Sequence, residues 1–223
     1  MTKVIFDISA SLDGYVTASD VRPEEPMGDG GQQLHEWAFG ADARGREILA
    51  ESLSSVGASI AGRRTYDLSV PWWGADGPGG LARTPTFIVS HSEPEKIPEG
   101  GVYTFVDSPE EALELARAAA GDKDVDVFSA NIGQQLLCAG RVDEIHLHVV
   151  PVLFGAGTRL FENIGGDHIQ LVITRVQEGP KATHLVRRHL EQIDHRPGRS
   201  VPKLQRFPSR SRALYPRIPP RAS

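Results

Sequence analysis

The sequence predicts an α/β fold with a mostly parallel sheet and an antiparallel closing edge. Three observations carry this. Short apolar strand patterns alternate with helical ones through most of the chain. The last two strand patterns, 169–177 and 182–190, follow each other across Glu178-Gly179-Pro180-Lys181, a hairpin signal. Alternation implies parallel strands with crossover helices, and the closing hairpin puts an antiparallel edge on that sheet.

In order, residues 3–10 read as a buried strand, with Val4, Phe6, Ile8 and Ala10 on one face. A long loop, 11–33, follows; loops of that length in a compact domain are usually functional or mobile. A helical stretch covers 34–54, with a break near Gly40. Residues 56–61 read as a strand and 70–84 as turn-rich; 86–90 and 102–106 read as short strands. The clearest helix is 109–120. Ser108 is its N-cap, Pro109 its first residue and Glu111 the third member of a capping box. Ala112, Leu115, Ala116 and Ala119 form its apolar stripe and Gly121 ends it. A strand at 124–128, a helix at 132–139 and a strand at 143–150 complete the order.

Composition excludes several classes. The chain has 223 residues, enough to bury a core without staples. A single cysteine, Cys138, excludes a disulfide scaffold and a Cys-rich metal site. No apolar run is long enough for a transmembrane helix, and Asp7 interrupts the first one, so a cytoplasmic protein is the expectation. Net charge is −5 but uneven. Residues 191–223 hold eight basic and two acidic residues together with six of the 16 prolines. Such a composition cannot form a packed core. The expected organisation is a folded domain over 1–190 and a disordered basic Pro/Arg-rich tail over 191–223, with no specific nucleic acid or membrane partner.

Candidate chemistry collects at loops that follow strands, where open α/β sheets bind ligands. Gly62-Arg63-Arg64-Thr65 offers a sharp strand exit and two guanidiniums suited to phosphate, with Thr65 placed to cap the next helix; two solvated arginines at a turn are the plain alternative. Ser129-Ala130-Asn131-Ile132-Gly133 opens a helix whose first-turn N–H groups could hold a pyrophosphate, or be an ordinary capped terminus. Ser90-His91-Ser92 could line a nucleotide site or be a polar turn. Gly155-Ala156-Gly157 lacks the third glycine of a dinucleotide fingerprint and reads as a turn. Asp13 could serve as an acid, orient a substrate or close an Asx-turn into Gly14. His35, Glu36 and Trp37 form either a substrate platform or an amphipathic first turn with Trp37 in the core. Glu144, His146 and His148 share a strand face, but with no third metal ligand identifiable no metal site is expected.

Together these pieces resemble the dihydrofolate-reductase-like superfamily. The nearest branch is the C-terminal reductase domain of the bacterial riboflavin-biosynthesis deaminase-reductase and its stand-alone relatives. The resemblance runs over residues 3–190. It rests on Ser11-Leu12-Asp13-Gly14, Leu34-His35-Glu36-Trp37, Gly62-Arg63-Arg64-Thr65, the run Ala139 to His148, and Pro151 to Gly157 leading into Leu160-Phe161. It implies a three-layer α/β/α fold and a reductase acting on CH-OH or CH-NH groups, with NADPH as hydride donor. Gly62, Arg63, Arg64 and Thr65 would contact the 2′-phosphate end, with Ser90 and His91 nearby. Ser129, Ala130, Asn131, Ile132 and Gly133 would hold the pyrophosphate. A small heterocyclic or ribosylated substrate would lie near catalytic Asp13 and Glu36 and binding residues His35 and Trp37. A homodimer is implied as well. The sequence departs from the family in having Ser129-Ala130-Asn131 where two glycines and a small residue are usual. It also lacks a fused deaminase signature. A pterin or xenobiotic reductase and a catalytically inactive nucleotide-binding paralogue are the rival readings.

Overall fold

The computed structural model describes residues 2–165 and 168–189; the basic tail expected at 191–223 lies outside the described residues. Among the described residues, ten strands and five α-helices follow one another: β1 (Val4–Ser11), β2 (Tyr15–Thr17), α1 (Glu36–Phe39), α2 (Ala43–Ser55), β3 (Val56–Gly62), α3 (Arg63–Trp73), β4 (Thr86–Val89), β5 (Tyr103–Val106), α4 (Pro109–Ala120), β6 (Asp124–Val127), α5 (Ala130–Cys138), β7 (Glu144–Val150), β8 (Thr158–Arg159), β9 (Leu171–Glu178) and β10 (Thr183–His189). Eight strands form one sheet in the order β5-β4-β3-β6-β1-β7-β10-β9. The first six run parallel; β10 is antiparallel to β7, and β9 to β10. This is the three-layer, mostly parallel sheet with antiparallel closing strands expected from the sequence.

Strand periodicity assigns the faces. Val4, Phe6 and Ala10 of β1, with Ala58, Ile60, Val125 and Val127, pack beneath Ala112, Leu113 and Ala116 of α4 and Ile132, Leu136 and Leu137 of α5. Gly133 is required there, because a Cβ would run into the Phe6 ring. On the opposite face Tyr66 of α3 packs on Ala61 and Ile88. Beside it, Ile48 of α2 joins Leu34, Trp37, Val150 and Ala182.

Several expectations are corrected. The stripe of α4 runs through Ala112, Leu113, Ala116 and Ala120; Leu115 and Ala119 face outward. An alanine-rich helix offers two overlapping stripes, and periodicity cannot choose between them. Its cap is as expected, with Glu111 N–H donating to Ser108 Oγ at 3.2 Å, but the returning Glu111 carboxylate takes the N–H of Asp107. Within 70–84 the first four residues continue α3, with Pro71 in its last turn and Gly74 N–H donating to Val70 O. Having no N–H, Pro71 gives up the helical bond to Asp67 O. The loop 11–33 contains β2, paired with the two-residue β8. Thr65 does not cap α3; Gly62 holds the cap position. The break near Gly40 is real, between α1 and α2.

Candidate active site

The parallel order brings the exits of β4, β3, β6, β1 and β7 side by side on one edge of the sheet. Gly62 ends β3 against the start of α5: a Cβ would stand 3.2 Å from Ser129 Oγ and 3.3 Å from Ile132 Cγ1. Thr65 Oγ1 and Ser129 Oγ share a hydrogen bond of 2.9 Å. This pairs the first turn of α3 with that of α5. Neither helix has a side-chain cap, so their first-turn N–H groups are left for another acceptor. All peptide bonds among the described residues are trans, Ser129-Ala130 included.

Arg63 is the tie between loops. Its Nε lies 2.7 Å from Asp67 Oδ1, and its Nη1 donates to Ser92 O at 2.6 Å and Ser90 Oγ at 3.3 Å. The guanidinium therefore pins the exit of β4 to the start of α3. Arg64 is exposed and, among the described residues, makes no ion pair or hydrogen bond. His91 is exposed. Asn131 turns to Gln135, with Gln135 Nε2 donating to its Oδ1 at 2.6 Å, and Gly133 faces the core rather than the edge.

Asp13 is held. Its carboxylate accepts from Ser11 Oγ at 2.6 Å, Gly155 N–H at 2.7 Å and Phe154 N–H at 3.1 Å. The Ser11 bond, with those from the backbone, holds its pKa down to about 2. It is an ionised, hydrogen-bonded clip between the exits of β1 and β7. The Gly155-Ala156-Gly157 turn is the other half of that clip, and Gly157 presses against the carbonyl of Thr17.

The 35–37 cluster splits up. Glu36 is exposed and paired with Lys181 at 3.1 Å. His35 packs edge-on against Phe39, and burial, then the neighbouring His148, lower its pKa. Trp37 is buried; its Nε1–H donates to Ser9 Oγ at 3.0 Å and its ring lies 4.2 Å from that of His148. It is a core residue, not an open platform.

Sequence reasoning missed a polar layer beneath α2. Ser9, His148, His184 and Gln177 form one row across β1, β7, β10 and β9. His148 Nε2 is 2.8 Å from Asp7 Oδ1 and its Nδ1 is 2.7 Å from His184 Nδ1. Ser52 of α2 donates to Asp7 Oδ2 at 3.0 Å. Burial pushes Asp7 up, but the charge and hydrogen bond of His148 outweigh it, so the carboxyl sits below its ordinary range. Asp126 on the next strand goes the other way: burial, then the charge of Asp7, raise it well above. Lower in the layer, Glu144 takes Lys3 at 3.0 Å, His146 Nε2 at 3.0 Å and Arg188. A cleft of about 380 Å³ opens here between α2 and the β9–β10 hairpin, lined by Asp7, Glu144, His146, His148, His184 and Arg188 among others. No group of three or more His, Cys, Asp or Glu side chains among the described residues is arranged to hold a metal ion. The usable signal was the alternation of Glu144, His146 and His148; its partners lie far away in sequence.

The comparisons agree with this architecture. The RibD C-terminal domain model matches residues 2–185. No curated protein sequence matches the chain. Among solved structures, a putative riboflavin biosynthesis protein from Shewanella sp. PV-4 superposes with a TM-score of 0.62 at 18% identity, covering 85% of this chain and 99% of that one. A diaminohydroxyphosphoribosylaminopyrimidine deaminase/5-amino-6-(5-phosphoribosylamino)uracil reductase from Thermotoga maritima gives 0.59 at 13% identity, covering 84% of this chain and 56% of that one. A pyrimidine reductase-like protein from Corynebacterium diphtheriae gives 0.55 at 14% identity, covering 85% and 92%. With a family model spanning nearly all of the described residues, the chain belongs to the RibD C-terminal domain family.

Proposed function

We propose that this chain is an NADPH-dependent reductase that delivers hydride to a small heterocyclic or ribosylated substrate at the carboxyl edge of its sheet. The observation that carries the reading is the pair of uncapped helix N-termini, α3 and α5, joined by Thr65 and Ser129 with Arg64 free beside them. Two sets of unspent N–H groups at positive helix ends suit a pyrophosphate, and a free guanidinium suits a further phosphate. Family membership supports the same reading, as do relatives named as riboflavin-biosynthesis proteins and pyrimidine reductases.

The donor set fits a dinucleotide phosphate. A reduced nicotinamide bound there supplies the hydride. Residues 130–132 hold the pyrophosphate through backbone N–H groups, Gly133 N–H being spent on Ser129 O. Arg64 pairs with the 2′-phosphate. Arg63, already engaged by Asp67 and Ser92, positions the β4 exit loop instead of gripping the ligand. Asp13 keeps the β1 and β7 exits together around the reacting end. It shapes the substrate site.

Arg64→Ala tests the assignment. Losing one charge-assisted contact of roughly 1.5–3 kcal/mol weakens NADPH about 10- to 100-fold while NADH binding is unchanged. Equal NADPH affinity in the variant removes Arg64 from the site. The proposal includes a homodimer, because β9 exposes Ile173 and Val176, each 51% accessible, at the end of the strand order. Light scattering at twice the monomer mass is the expected result. No helix among the described residues is long and apolar enough to cross a membrane, and cytoplasmic residence is part of the proposal.

A further inference from the structure

Beyond the exits of β1 and β7 stands the small ladder of β2 and β8, in which Tyr15 pairs with Arg159. The guanidinium carbon of Arg159 lies 4.7 Å from the centre of the Tyr15 ring. Arg159 is exposed and, among the described residues, makes no ion pair or side-chain hydrogen bond.

The chain around it is fixed on both sides. Tyr15 is buried, and its hydroxyl donates to Gly155 O at 3.1 Å. Thr158 N–H donates to Thr17 Oγ1 at 3.2 Å, and Leu160 N–H to Gly14 O at 2.9 Å. Leu160 is itself a core residue. These bonds set where the Arg159 backbone sits, and the ring sets where its guanidinium sits. The segments 11–39, 150–160 and 178–182 are drawn together by the cluster of Leu34, Trp37, Val150 and Ala182. Of their Lys and Arg side chains, Arg22 is paired with Glu25 and Asp29, and Lys181 with Glu36. Asp13 spends its carboxylate on Ser11, Phe154 and Gly155. Arg159 is the cation these carboxylates leave over.

We propose that Arg159 binds an anionic group of the substrate, a phosphate monoester or a carboxylate, and selects charged substrates over uncharged ones. The assignment rests on the substrate lying at the β1 and β7 exits, as in the function proposed above, and names the residue that anchors it there. An aromatic face holds a cation through its quadrupole and leaves N–H donors for an anion. A guanidinium placed in advance loses less freedom on binding, and its fork matches phosphate and carboxylate alike. Arg159 also stands apart from Arg64. In the order β3-β6-β1-β7, β3 and β7 are three strand spacings apart, about 14 Å. Arg64 opens α3 at the β3 exit, whereas Arg159 follows the β7 exit. A dinucleotide with its phosphates at α3 and α5 leaves Arg159 to the substrate.

Uridine, uridine 5′-monophosphate and uridine 5′-carboxylate test this, being one ribosylated pyrimidine without charge and with each anion. Binding is followed by amide chemical shifts in the absence of dinucleotide. The parent should bind at least one anionic probe about 10-fold or more ahead of uridine. Which anion leads tells phosphate from carboxylate. Arg159→Ala should lose the preference. So should Arg159→Met, which keeps an apolar stem against Tyr15 and removes only the charge. Arg64→Ala should keep it. NADPH titration of both Arg159 variants should match the parent, so a failure of the cofactor reading shows separately from a failure of Arg159. The proposal is overturned by a parent with no preference, or by a preference that survives in the Arg159 variants. A preference lost in Arg64→Ala instead overturns it by placing the anion at the cofactor end. Weakened NADPH binding in both Arg159 variants overturns it by making Arg159 a support of the whole edge.

Discussion

The carboxyl edge of the sheet and the layer beneath α2 use similar residue types to opposite ends. At the edge, among the described residues, Arg64 is unpaired and two helix N-termini are without a side-chain cap. Beneath α2, Glu144 alone satisfies Lys3, His146 and Arg188, and Asp7 satisfies His148 and Ser52. The edge keeps its donors available for a ligand. The layer consumes nearly all of its own to hold α2 and the β9–β10 hairpin on the sheet. The state of pairing, more than the identity of the residues, separates a binding surface from a structural one.

A large effect should come from breaking the layer at its hub. Glu144→Ala leaves Lys3 and Arg188 without their buried counter-charge. Lys3 and Arg188 are each about a third exposed, so the cost is that of lost charge-assisted hydrogen bonds, about 1.5–3 kcal/mol. Urea unfolding measures it, and a loss below about 1 kcal/mol would show that the cluster is solvated. Of similar size is the contrast across α4. Leu113→Ala should cost about 2–5 kcal/mol, since Leu113 is 5% exposed. Leu115→Ala, at 40% exposure, should stay within about 0.5 kcal/mol. Equal costs would return the stripe to Leu115.

The dependence on pH separates the two regions by their limbs. The folded pKa of His184 is lowered from 6.5 to about 4, so the folded state favours the neutral ring. Its contribution is complete above 6.5 and is lost as pH falls toward 4. The folded pKa of Asp13 is lowered from 3.8 to about 2, so its contribution is complete above 3.8 and lost as pH falls toward 2. His184→Gln should therefore flatten the stability curve between pH 6.5 and 4, and Asp13→Asn should flatten it only below 3.8. A flattening in the wrong window would reassign the group.

Much of the fold was legible in the chain. The Ser108 cap and Gly121 stop bound α4 correctly, and the Glu178–Lys181 turn joins the last two strands. The loops at Gly62, Ser90 and Ser129 do meet on one edge, because alternating strands and helices leave all parallel strand ends together. What was not legible depends on distant partners. Asp7 looked like a break in an apolar run; its role comes from His148, 141 positions away, and Ser52, 45 away. Trp37 could be a platform or a core residue, and only the stacking of His148 and His184 beneath it decides. The strand β8 has two residues, too few for any periodicity.

The most direct test of the central claim is a side-by-side titration of the parent and Arg64→Ala with NADPH and NADH, followed by tryptophan quenching and nicotinamide fluorescence. The expected result is NADPH binding well ahead of NADH in the parent, with that preference lost in the variant. Binding of neither dinucleotide by the parent would contradict the assignment of the paired helix N-termini and Arg64 as a cofactor site.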